Sequence, residues 1–99
     1  MRTIWKYPIG ESFTLSMPTG ARVVHAERQG QTLCLWAEVE TTAAPAERTF
    51  EVVGTGHPIP AGAVHVHTWQ DPPYVWHLYE VLAEQRSDRR PPVLTEVLR

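Results

Sequence analysis

The chain has 99 residues, close to the commonest domain size and enough for one core without a second domain. Nine Lys and Arg against 11 Asp and Glu leave a formal net charge of −2, which offers no basic field to phosphate backbones and speaks against general nucleic-acid binding. Cys34 is the single cysteine, so an intramolecular disulfide framework and a multi-cysteine zinc site are both excluded and a reducing compartment is expected.

No apolar run approaches the roughly 20 residues that span a bilayer, and no membrane partner is expected. The opening MRTIWKYP has no signal-peptide core, which points to a cytoplasmic protein. Residues 3–9 alternate Trp5, Tyr7 and Ile9 against Ile4 and Lys6 and read as a first strand, with Pro8 at a sheet edge or bend. Residues 12–17 alternate more cleanly, Phe13, Leu15 and Met17 inward and Ser12, Thr14 and Ser16 outward, as a half-buried antiparallel strand does. Residues 22–27 and 32–39 are two further strands joined by a hairpin at Gly30. The second carries apolar residues on both faces, Leu33, Leu35, Ala37 and Val39 against Cys34 and Trp36, so it is placed centrally, with Cys34 as a buried inert thiol.

Residues 41–47, TTAAPAE, lack periodicity and read as a surface loop. Residues 48–53, RTFEVV, have strand composition, and Gly54-Thr55-Gly56-His57-Pro58-Ile59-Pro60 comes next as a loop. Its glycines supply positive φ or admit a close approach to the backbone, while Pro58 and Pro60 stiffen its second half. Residues 63–69 alternate so that His65 and His67 share a face. After the turn at Asp71-Pro72-Pro73, residues 74–81 place Tyr74, Trp76 and Leu78 on one side and Val75, His77, Tyr79 and Val81 on the other.

Six to seven short strands separated by turns, with no βαβ alternation, predict an all-β fold: a small antiparallel sandwich or barrel. One β domain is expected over residues 1–83. Residues 84–99 form a charged linker and an apolar C-terminal tail, in which Val93, Leu94, Val97 and Leu98 fall on one face of a short helix. Such a helix does not hold alone in water, so the tail either stays mobile or docks on its own domain or on a neighbouring subunit; docking on a second copy, giving a homo-oligomer, is the preferred expectation.

The polar chemistry gathers around the GTGHP loop. Backbone N–H groups of Gly54, Thr55 and Gly56 suit an anionic ligand, with Arg48 or Arg22 as counter-charge. His57 and His77 can change charge near neutral pH, and Trp76 adds an aromatic wall; Arg48, Gly54, Thr55, Gly56, His57, Trp76 and His77 are therefore the candidate ligand-binding set. A second constellation is His65-Val66-His67: two imidazoles at i and i+2, completed by Asp71 or His57, match a three-ligand site for a divalent metal with an open position. HVHTWQD is similar to the first metal motif of the cupins but lacks that family's preceding glycine and its second metal-binding strand. A hydrolase would need a nucleophile, a base and a base-orienting group. Ser16, Thr55, His57, Asp71 and His77 are available, but no nucleophile elbow, Walker loop or paired-carboxylate motif frames them.

Five segments in order, IWKYPI (residues 4–9), MPTGARV (17–23), LCLWAEV (33–39), RTFEVVGTGHPIP (48–60) and VWHLYE (75–80), resemble a family of small uncharacterised proteins of tailed bacteriophages and prophages. In that family IWK, MP-x-GA, LWA, GTGH and WH recur in this order. The resemblance covers roughly residues 3–80, and it carries over Gly54, Gly56, His57 and His77 as family-typical positions but not His65 or His67. It implies a phage accessory protein in the cytoplasm of an infected or lysogenic bacterial host, with no established activity; no cofactor is expected apart from the divalent metal considered above. The expected function is non-enzymatic: capture of a small ligand, of which a nucleotide-derived defence signal is one example, or of a host protein at the GTGHP loop, in host takeover or counter-defence. The alternatives are a structural or assembly role in the virion or an oligomer, and a small metal-dependent enzyme using His65 and His67.

Overall fold

The computed structural model describes residues 1–82 and the backbone of Val93 and Leu94. Seven antiparallel strands fall where the alternation puts them: β1 (Arg2–Pro8), β2 (Ser12–Pro18), β3 (Arg22–Gln29), β4 (Thr32–Glu40), β5 (Pro45–Gly54), β6 (Val64–Asp71) and β7 (Tyr74–Val81). They form two sheets, one of order β1-β4-β3 and one of order β6-β7-β5-β2, to which the two-residue β8 (Val93–Leu94) adds at the β2 edge. No helix occurs among the described residues. The short helix expected over the tail is corrected at Val93 and Leu94, which pair parallel with Thr14 and Leu15; the rest of residues 83–99 lies outside the described part.

The core lies between the sheets. Tyr7, Leu35, Ala37 and Val39 from one sheet and Phe13, Leu15, Met17, Phe50 and Leu78 from the other are buried, and Phe13 stacks on Phe50 at 5.5 Å between centroids. Rings so placed add roughly 1 kcal/mol beyond the area they bury. β4 is the middle strand of its sheet, as its two apolar faces require, and Cys34 is buried there. Burial raises the Cys34 thiol above its usual range, as an inert structural cysteine requires.

Two local expectations are corrected. β5 begins at Pro45 rather than Arg48, because Pro45 and Ala46 pair with Pro18 and Met17; a proline at the first residue of a strand forfeits no ladder hydrogen bond. Thr14, expected on the wet face, is fully buried and shares a 3.0 Å hydrogen bond with Thr49 across β2 and β5.

Topology decides which residues reach the site. The β1–β2 and β3–β4 reversals, the end of β5 and the β6–β7 reversal all lie at one end of the sandwich. β5 and β6 run parallel with β7 between them, so residues 55–63 leave that end and return along the sheet.

Candidate functional site

The site is built on the turn that ends β5. The His57 N–H donates to the Gly54 carbonyl at 3.0 Å, and Gly56, third of the four residues, has φ +90°, the left-handed value that a type II turn demands there. Gly54 serves another purpose. A Cβ on it would stand 3.1 Å from His57 Nδ1 and 3.1 Å from Trp76 Cζ3, so the missing side chain lets the imidazole and the benzo edge of the indole close over the backbone. Register explains why Trp76 is the partner: it lies directly opposite Gly54 in the β5–β7 ladder.

This His57–Trp76 wall has a hollow on either side. The first, about 270 Å³, is lined by Glu11, Arg28, Leu33 and Val52 together with Gly54, His57 and Trp76. The second, about 430 Å³, is lined by Thr55, Pro73, Tyr74 and Val75 together with the same three residues. Tyr74 and Trp76 tilt toward each other at 34° with centroids 5.4 Å apart. Trp76 Nε1 is buried and has no hydrogen-bond partner among the described residues. That pyrrole N–H is remote, within the ring, from the Cζ3 edge that faces Gly54.

Behind the wall, on the outer face of the five-stranded sheet, runs a chain of hydrogen bonds. Thr55 Oγ1 donates to the Val75 carbonyl at 3.1 Å and lies 2.9 Å from His77 Nε2. His77 Nδ1 lies 2.9 Å from Thr68 Oγ1, which lies 2.8 Å from His65 Nε2. A carbonyl only accepts, so the direction of the whole chain is fixed when the imidazoles are neutral. His65 Nε2–H donates to Thr68, Thr68 to His77 Nδ1, His77 Nε2–H to Thr55, and Thr55 to Val75. In that arrangement His77 donates to Thr55 rather than accepting from it.

The sequence-predicted ligand set is thus divided. Gly54, His57 and Trp76 meet at the wall, Gly56 shapes the turn beneath it, and Thr55 and His77 sit on the adjoining outer face. Arg48 is elsewhere. Six residues along β5 place it about 20 Å from Gly54, where its guanidinium holds Glu80 through Nε and Nη2 at 2.8 Å each and the Ala21 carbonyl at 2.5 Å. Glu80 in turn raises the Arg48 pKa, and the pair closes the far end of the core beside Phe50. Arg22 pairs with Glu38 on the other sheet at 3.6 Å.

The expected His65–His67–Asp71 metal set is not brought together. β6 carries a bulge between His65 and His67, so that His65 faces Tyr79 while His67 faces Leu78; neighbours on β7 point to opposite sides, and the extra residue, Val66, therefore sends the two imidazoles to opposite faces. His65 packs edge-on against Tyr79, His67 against His25 of β3 at 4.8 Å, and Asp71 accepts a 3.1 Å hydrogen bond from Arg28 Nε. Among the described residues no group of three or more His, Cys, Asp or Glu is placed to hold a metal ion. Burial first, then the nearby His25 and His65, lowers the His67 pKa from its ordinary value.

Sequence reasoning missed Glu11, Arg28, Leu33, Val52, Pro73, Tyr74 and Val75 as lining residues. The available signal was position: each flanks a reversal at the end of the sandwich where β5 stops.

A family model described as a domain of unknown function matches residues 1–89. The chain belongs to the DUF7352 family. The match extends beyond the residues 3–80 that the motifs cover and takes the DUF7352 domain into the charged segment after β7. No curated protein and no solved structure matches the chain.

Proposed function

We propose that this chain is a non-enzymatic binding protein that captures a small ligand at the His57–Trp76 wall. The observation that carries it is the sharing of Gly54, His57 and Trp76 by two adjoining hollows of about 270 and 430 Å³. Hollows of this size, walled by aromatic and aliphatic side chains with a few polar groups, are where proteins hold small molecules. The ordered motifs support a phage or prophage accessory protein, acting in the host cytoplasm in host takeover or counter-defence.

Host-protein capture is the second reading, favoured by Ile59 and Tyr74 beside the wall, which are 53% and 59% exposed. The test is native mass spectrometry of the protein incubated with a small-molecule extract of bacterial cells, wild type against His57→Ala and Gly54→Ala. The expected result is a retained mass on wild type that both variants lose while their circular dichroism stays unchanged. A wild type that retains nothing from the extract refutes small-ligand capture.

A further inference from the structure

β3 and β6 are facing edges of the two sheets, and among the described residues no backbone hydrogen bond joins them. Side chains close that seam: His25 lies edge-on to His67, with ring centroids 4.8 Å apart and planes at 73°, and Arg28 Nε donates to Asp71. Along β6, Trp69 stands between these two contacts. By alternation it shares a face with His67 and Asp71; it is 5% exposed, and its indole N–H is buried with no partner among the described residues.

Both histidines sit at a bulge. On β3 the register slips between Val23 and His25, and on β6 between His65 and His67, so an extra residue, Val24 or Val66, precedes each imidazole. A bulge leaves one residue out of the ladder and bends its strand. Each edge strand is therefore least tied to its own sheet at the point where it meets the other.

The surroundings of the pair favour neutral rings. His67 is faced by His25 and Glu27 from β3 and by His65 on its own strand, while Leu78, opposite it on β7, is uncharged. His25 lies against the uncharged Trp36 ring of β4, and its Nε2 is 2.8 Å from the Glu27 carboxylate. Charging both imidazoles sets two like charges about 4.8 Å apart with no anion between the rings, an arrangement that repels even near water. Burial and the neighbouring imidazoles already hold the His67 pKa below its ordinary value.

We infer that the β3–β6 seam is a joint opened by acid: protonation of the His25–His67 pair parts the two edge strands at their bulges and admits water to Trp69, while the ladders within each sheet stay paired. Parting hydrates both charged rings, so the closed form loses population as pH falls through the histidine range. Arg28 of the same seam lines the first hollow, and the joint adjoins the proposed binding site without depending on it.

The test is hydrogen exchange of the Trp69 indole N–H and of the β2–β5 ladder amides, followed by NMR at pH 7.5 and 5.5 in small increments of urea and corrected for the intrinsic pH dependence of exchange. Local opening exposes little surface and responds weakly to urea, whereas global unfolding responds steeply. In wild type the Trp69 N–H is expected to show a urea slope well below that of the ladder amides and to lose roughly tenfold in protection from pH 7.5 to 5.5. That loss disappears in His67→Gln and, independently, in His25→Gln. A Trp69 slope equal to that of the ladder amides would mean that only global unfolding reaches the seam; that result, no loss in wild type, or a loss that persists in either variant overturns the proposal.

Discussion

Gly54 and Gly56 stand two residues apart and are glycine for different reasons, which substitution can separate. At Gly56 the backbone is left-handed, φ +90°, and nothing lies within 4 Å of an added Cβ. Alanine there costs about 1–2 kcal/mol in backbone strain and nothing in contacts. At Gly54 the backbone is one that alanine adopts, and the cost is steric: the methyl meets His57 and Trp76, both of which have room to move outward toward the hollows. Urea unfolding of the two variants, read beside the chemical shift of the Trp76 indole proton, checks this. Gly56→Ala is expected to lose stability with the indole signal in place, and Gly54→Ala to move the indole signal at a smaller loss of stability. The reverse pattern would mean that the close approach at Gly54 is not what holds the wall. The sequence GTGHP announced both uses of glycine without saying which residue had which, because that depends on the partner strand, and Trp76 is 22 positions away.

At the scale of the strand, period-2 alternation made most faces legible: Phe13, Leu15 and Met17 point inward as read, and Tyr7, Leu35, Ala37 and Leu78, each grouped by the alternation on one side of its strand, are buried. It failed in β6, where one extra residue at Val66 reverses the phase and separates His65 from His67. A bulge is set by pairing across the ladder, and a strand read alone contains no trace of it. Its consequence is a histidine at the seam between the sheets, with His67 of β6 against His25 of β3 and His25 Nε2 2.8 Å from Glu27 Oε1. The His67 pKa is lowered in the folded protein, so on acidification the unfolded chain takes up that proton first. The stabilising contribution is complete above about pH 7 and is lost as pH falls through the unfolded value near 6.5 toward the folded one. Thermal unfolding is therefore expected at a lower temperature at pH 5.5 than at pH 7.5, by a difference that shrinks in His67→Gln. Glu40, whose carboxyl the N-terminal amino group holds below its usual range, acts only at lower pH and leaves this window clear. An undiminished difference in His67→Gln would place the sensitive group elsewhere.

Across the whole molecule the question is how the sheet edges are closed, since an open edge invites a second chain. β3 and β6 close one side by packing on each other through His25–His67 and Arg28–Asp71. β1 is an edge among the described strands, and its Lys6 and Pro8 are residues that discourage further pairing. The β2 edge is closed at Thr14 and Leu15 by Val93 and Leu94 of the same chain. A dimer formed by exchange of this strand would pair Val93 and Leu94 with the β2 edge of a second copy, whereas here they pair within the chain. Truncation after Arg86 is therefore expected to leave the subunit count unchanged by native mass spectrometry while lowering stability by about 1 kcal/mol, the contribution of a backbone hydrogen bond or two. A fall in subunit count on truncation would show instead that the strand is exchanged, and would move the tail from the closing of one sandwich to the joining of two.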